Sequence, residues 1–133
     1  MHTIQIDLRD YRSTLGEYPI YYPGDRVSGQ VVIYAESQIK CRNIRVEVGW
    51  FTQGKGNRDK EAIQQYVIDV QQIEPGMPIS QKFAADLPPM PYSFSGELIN
   101  IVWAVQVTVD IAMRSDINES RQFIVRPPEK RSS

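Results

Sequence analysis

One cysteine, one histidine and a formal net charge of −1 leave this chain few of the groups that carry reaction chemistry. Cys41 is the lone thiol, so no intrachain disulfide can form, and a reducing compartment fits. His2 is the lone histidine and sits beside the first residue, which argues against a histidine-based acid, base or metal site. A pI near 5.8 excludes a basic nucleic-acid footprint, and neither a polybasic nor a strongly acidic tail is present. No uninterrupted apolar run is long enough to cross a bilayer. The opening MHTIQIDLRD lacks the apolar stretch of a signal peptide. The expectation is a soluble cytoplasmic protein with no cofactor, no nucleic-acid partner and no integral membrane segment.

What the chain has in quantity is alternation. From Ile99 to Ile111 every odd position is apolar: Ile99, Ile101, Trp103, Val105, Val107, Val109 and Ile111. A period of two puts these side chains on one face of a pleated strand, which must then be buried. The even positions are mixed near Val102 and polar towards Asp110, as in a strand covered on one side at its far end. The run from Leu87 to Met113 is long for a strand, which predicts a bend or bulge where it passes between sheets.

Shorter runs repeat the pattern. Thr3–Leu8 reads as a half-buried edge strand, and Tyr18–Tyr22, broken by Pro19, as an extended edge piece. Val27–Tyr34 and Cys41–Phe51 read as neighbouring core strands, with Gly29 marking a close backbone approach or a bulge. Ala62–Ile73 suits a helix stripe through Ile63, Tyr66, Val67 and Val70, or a strand through Tyr66, Ile68 and Val70. Its β-branched content favours the strand. Ile79–Leu87 and Glu119–Arg126 complete the set. Pro23-Gly24-Asp25 and Pro75-Gly76 are turns with a mechanism: proline sets the first corner and glycine supplies positive φ at the second. Arg9–Gly16, Ala35–Lys40 and Thr52–Glu61 read as polar connections. About eight short strands separated by turn signals specify an all-β sandwich. One domain over residues 1–126 is expected, followed by a disordered tail over 127–133.

Candidate chemistry is sparse. Cys41 has no histidine to activate it. Asp7 with Asp10, and Asp110 with Asp116, are carboxylate pairs that nothing draws into a cleft. Gly54-Lys55-Gly56 lacks the rest of a phosphate loop. No catalytic, cofactor-binding or metal-binding residue is assigned, and the expectation is that the protein is not an enzyme. Trp50 shares the face of Ile44, Val46 and Val48, which makes it core. Phe51 points the other way and is the one aromatic residue singled out for contact. Lys55, Arg58 and Lys60 suit an acidic or phosphorylated partner, but Asp59 and Glu61 dilute their charge.

Two segments together resemble the arrestin fold family. Tyr22-Pro23-Gly24-Asp25-Arg26-Val27-Ser28-Gly29-Gln30-Val31 is similar to the family's first-hairpin pattern. Leu87-Pro88, Pro91, Ser93, Phe94, Gly96, Ile101, Trp103, Val105, Val107 and Asp110 resemble its "LP…PxSFxG…IxWxVxVxxD" region, with Ile44, Val46, Val48 and Gly49 fitting the strand between. The likeness runs from about Ile4 to Val125 and covers a single lobe of the N-terminal type, where typical arrestins carry two. Receptor and clathrin-type contacts therefore do not carry over, and Asp110 and Arg126 are not assigned to the buried charge cluster of animal arrestins. The resemblance implies an immunoglobulin-like antiparallel β-sandwich acting as a non-enzymatic adaptor for a protein partner. It would bind through loops at the sandwich ends or by strand addition at an edge such as Ile4–Leu8, and would also pair with itself as a homodimer. The alternative is a carbohydrate-binding β-sandwich module, which needs an exposed aromatic platform.

Overall fold

The computed structural model describes residues 2–54 and 58–128. Twelve strands and no helix are found among them: β1 (His2–Arg9), β2 (Ser13–Leu15), β3 (Tyr18–Tyr21), β4 (Arg26–Ala35), β5 (Ile39–Lys40), β6 (Asn43–Gly54), β7 (Lys60–Ile68), β8 (Gln72–Ile73), β9 (Ile79–Asp86), β10 (Phe94–Ser95), β11 (Ile99–Asp110) and β12 (Ile117–Val125). A small sheet runs β1-β4-β9. A large sheet runs β2-β3-β12-β11-β6-β7, with β10 alongside β11, and β5 pairs with β8.

The alternating residues account for the core between the sheets. Val27, Val31, Ile33 and Phe83 come from the small sheet, and Ile44, Val46, Val48, Trp103, Val105 and Val107 from the large one. All are at most 3% exposed. The Trp103 indole N–H donates to the Pro91 carbonyl at 3.0 Å, so the loop after β9 closes over that side chain. Pro23-Gly24 forms the expected turn. Gly24 has φ of 87°, the Asp25 N–H donates to the Tyr22 carbonyl at 2.9 Å, and the Asp25 carboxylate accepts from the Tyr22 N–H. Pro75-Gly76 repeats the geometry, with Gly76 at φ of 77° and the Met77 N–H on the Glu74 carbonyl.

Several expectations need correction. β4 and β6 are not neighbours but lie in opposite sheets, because the intervening segment carries β5 across to β8. β3 is not an edge piece: it lies between β2 and β12. The parallel ladder to β12 involves only Ile20 and Tyr21, so the absent N–H of Pro19 falls outside it. β11 stays in one sheet and carries no bulge in its pairing with β6. All twelve of its residues pair in unbroken register with β6, and the bulge lies one strand over, at Val48/Gly49 between β6 and β7. Ala62–Ile73 is strand as far as Ile68, but the polar connections at 9–16 and 35–40 contain β2 and β5. The segment 52–61 is not all loop: Thr52–Gly54 belong to β6 and Lys60–Glu61 to β7. Lys55 lies outside the described residues, as does the expected tail from 129 onward.

Gly29 has the close approach expected of it. A Cβ there would fall 1.8 Å from the Asp7 carbonyl oxygen on β1 and 2.7 Å from the Phe83 ring on β9. The two outer strands of the small sheet are also tied to the large sheet by side chains. Arg121 of β12 donates to the Ile6 carbonyl of β1 at 2.9 Å. The Tyr66 hydroxyl of β7 donates to the Ala84 carbonyl of β9 at 3.2 Å and accepts from the Ala84 N–H at 3.1 Å. Each bond engages backbone groups on an edge strand, where an added strand would otherwise find them.

Candidate functional site

The two sheets are not matched in length. β6 and β11 have twelve residues each, whereas β1 and β9 have eight. Along the inner face of β11, burial fades towards its start. Trp103 is fully buried, Ile101 is half-buried and Ile99 is exposed. Phe94 stands directly opposite Ile101 across the β10–β11 ladder, and residues so paired project on the same face. The inner face of the large sheet therefore emerges into solvent beyond the cover of the small sheet. Phe94 is 54% exposed and Leu98 68%. This corrects the expectation that the whole odd face is buried.

The apolar end has a defined backbone. The Gly96 N–H donates to both the Ile99 carbonyl and the Asn100 side-chain oxygen at 3.1 Å, which closes the turn from β10 into β11. Gly54 ends β6 with φ of 136°, and a Cβ there would lie 2.1 Å from the Leu98 carbonyl oxygen. Only glycine allows the end of β6 to lie so close to the Leu98 backbone. Around the corner, on the outer face, Phe51 lines an open hollow of about 670 Å³ with Gln53, Arg58, Lys60 and Gln106. Phe51 is half-buried there, opposite Val102. Trp50 faces inward opposite Trp103 and is also only half-buried, because it lies near the same open end.

The other candidate groups stay apart. Asp10 accepts from the Ser28 hydroxyl at 2.8 Å, and Asp116 accepts from the Ile111 N–H at 3.0 Å, so each of these carboxylates has a hydrogen bond of its own. Asp110 is held by Arg42 at 2.9 Å and lies 4.0 Å from Arg45; Arg126 instead donates its backbone N–H to Tyr21. Cys41 is buried and its thiol points to the Val70 carbonyl at 3.4 Å. Burial, and then the negative charge of Asp110, push the Cys41 thiol pKa up, which keeps it in its less nucleophilic form. Among the described residues no group of three or more His, Cys, Asp or Glu side chains is placed to hold a metal ion. No helix among them is long and apolar enough to cross a membrane.

Phe94, Leu98 and Ile99 were not singled out from the sequence as contact residues. The available signal was the Ser-Phe-Ser-Gly turn entering a long alternating run.

No protein-family model matches the chain, and no curated protein matches it. Among solved structures it is similar to Spo0M, the sporulation control protein of Bacillus subtilis, with a TM-score of 0.63 and 20% sequence identity. The match covers 93% of this chain and 49% of that one. The chain thus spans about half the length of Spo0M, and at this identity the likeness is one of fold. Sheet order, turn chemistry and this likeness agree that the chain folds as an arrestin-like β-sandwich.

Proposed function

We propose that this protein is a non-enzymatic protein-interaction module, an adaptor of arrestin-like fold, that binds a partner protein through the apolar end formed by Phe94, Leu98 and Ile99. The observation that supports this reading is the emergence of a core-type sheet face into solvent at that end. Exposed apolar residues gathered in one short segment mark contact sites more often than residues scattered singly do. The partner surface is apolar and carries little charge, since Glu97 is the only charged residue between Phe94 and Asn100. A second copy of the chain meets that description, and its net charge of −1 offers little repulsion to pairing. A reducing, cytoplasmic setting goes with this reading, because the single thiol is free.

Docking at the sandwich end is favoured over strand addition at β1, because Arg121 already occupies the Ile6 carbonyl. The carbohydrate alternative gains no support, since Trp103 is fully buried and Trp50 faces inward.

The test compares tagged wild-type protein with Phe94→Asp and Leu98→Asp variants that keep the wild-type melting temperature. Proteins from the host, or untagged copies of the chain, should be retained by the wild type and lost from both variants. Retention of the same set by all three would rule out this surface as the docking site.

A further inference from the structure

The opposite end of the sandwich carries a different surface. There the start of β1, the segment from β4 through β5, and the β11–β12 turn enclose an open hollow of about 760 Å³. Its polar lining includes His2, Lys40, Arg42, Arg114, Ser37 and Ser115, and no carboxylate lines it. Ile39, Cys41, Ile111 and Ile117 supply its apolar walls.

The nearby acidic groups are largely committed elsewhere. Arg42 places both Nε and Nη2 on one Asp110 oxygen, at 3.1 and 2.9 Å, so that pair is close to neutral. Asp116 faces the turn backbone, with Oδ1 accepting from the Ile111 N–H. Glu36 precedes the lining residue Ser37 and does not itself line the hollow. Neither Lys40 nor Arg114 forms an ion pair among the described residues.

We infer that this hollow binds an anion of the phosphate class, carried on a small organic molecule. Lys, Arg and hydroxyl groups offer donors in several directions, which suits a group with three terminal oxygens and a double charge better than a single carboxylate. The volume exceeds what one inorganic ion would fill and lies within the range of small-ligand sites. The hollow is independent of the apolar end, so this inference stands whether or not that end docks a protein.

The experiment is a titration of isotope-labelled full-length protein with inorganic phosphate, glycerol 3-phosphate and glycerol, followed by backbone amide NMR. Saturable shifts are expected at 37–42 and 111–117 with glycerol 3-phosphate, and none with glycerol. Tighter binding of glycerol 3-phosphate than of inorganic phosphate is expected, and equal affinity for the two would overturn the organic carrier. Lys40→Gln and Arg114→Gln should each weaken binding about tenfold, because each removes a charge-assisted contact. Arg58→Gln, at the far end, should leave binding unchanged, and spectra of all variants away from the hollow should match the wild type. Absence of saturable shifts with either phosphate, or wild-type affinity in both Lys40→Gln and Arg114→Gln, would overturn the inference.

Discussion

Replacing Gly29 by alanine tests the packing of the small sheet at its centre. Gly29 is paired with Leu8 of β1 on one side and Phe83 of β9 on the other. The new Cβ would stand 1.8 Å from the Asp7 carbonyl oxygen and 2.9 Å from the Asp7 carbonyl carbon. Ordinary carbon–oxygen contacts start at about 3.3 Å, so β1 must move by roughly 1.5 Å. These are backbone atoms, and no rotamer change relieves the clash. Overpacking of this kind costs about 1–3 kcal/mol, and each ladder bond lost as β1 moves adds about 1 kcal/mol. We expect a total of about 3–5 kcal/mol, a large share of the roughly 5–15 kcal/mol available to a domain. Urea unfolding followed by tryptophan fluorescence reads the loss directly, since Trp103 is fully buried. Gly16→Ala is the control. It meets nothing within 4 Å but has φ of 60°, so it should cost only about 1 kcal/mol. A Gly29→Ala protein within about 0.5 kcal/mol of wild type would refute the close approach of β1 to β4.

Four further outcomes are expected. Tyr66→Phe leaves the Ala84 N–H and carbonyl without their shared hydroxyl and should cost about 1–3 kcal/mol in chemical denaturation; Arg121→Ala, which exposes the Ile6 carbonyl, should cost about 1–2 kcal/mol. Tyr21 donates its hydroxyl to the Arg9 carbonyl at 2.6 Å, and burial, followed by the nearby Tyr11 and Asp10, holds its pKa well above the usual tyrosine range. Its contribution is therefore full below the unfolded-state value of about 10 and is lost as pH rises through the raised folded value; melting temperatures measured across alkaline pH should fall less steeply in Tyr21→Phe than in wild type. Cys41 is 8% exposed and its thiolate is disfavoured by burial, so a thiol-specific disulfide reagent should label the native protein slowly and the urea-unfolded protein fast; equal rates would contradict its placement under Val70.

The strands were legible wherever a period of two ran for six or more residues, as in β4, β6, β9 and β11. The two Pro-Gly turns were legible because their residue types fix the backbone. β2, β5 and β8 were not, since two or three residues carry no period and are held by pairing partners distant in sequence. The division of β4 and β6 between sheets was hidden for a similar reason. Alternation shows that a strand has a buried face but not which strand lies beside it. The apolar end was the least legible feature. Ile99 and Ile101 belong to the same alternating series as Trp103 and Val105, and only the shorter span of the opposite sheet leaves them uncovered. Exposure there is set by the relative lengths of two sheets, which no local pattern encodes. Phe51, noted from its sequence position, does line a hollow, but a shallow one on the outer face.

Cross-linking tests the proposed docking of a protein on the end formed by Phe94, Leu98 and Ile99. The most direct measurement places a photo-activatable cross-linking residue at position 98, with a matched probe at Gln5 on the exposed face of β1, and irradiates the full-length protein in its host. A discrete cross-linked adduct is expected from position 98, absent from position 5 and abolished by Phe94→Asp. Equal adducts from both positions, or none from position 98, would contradict it.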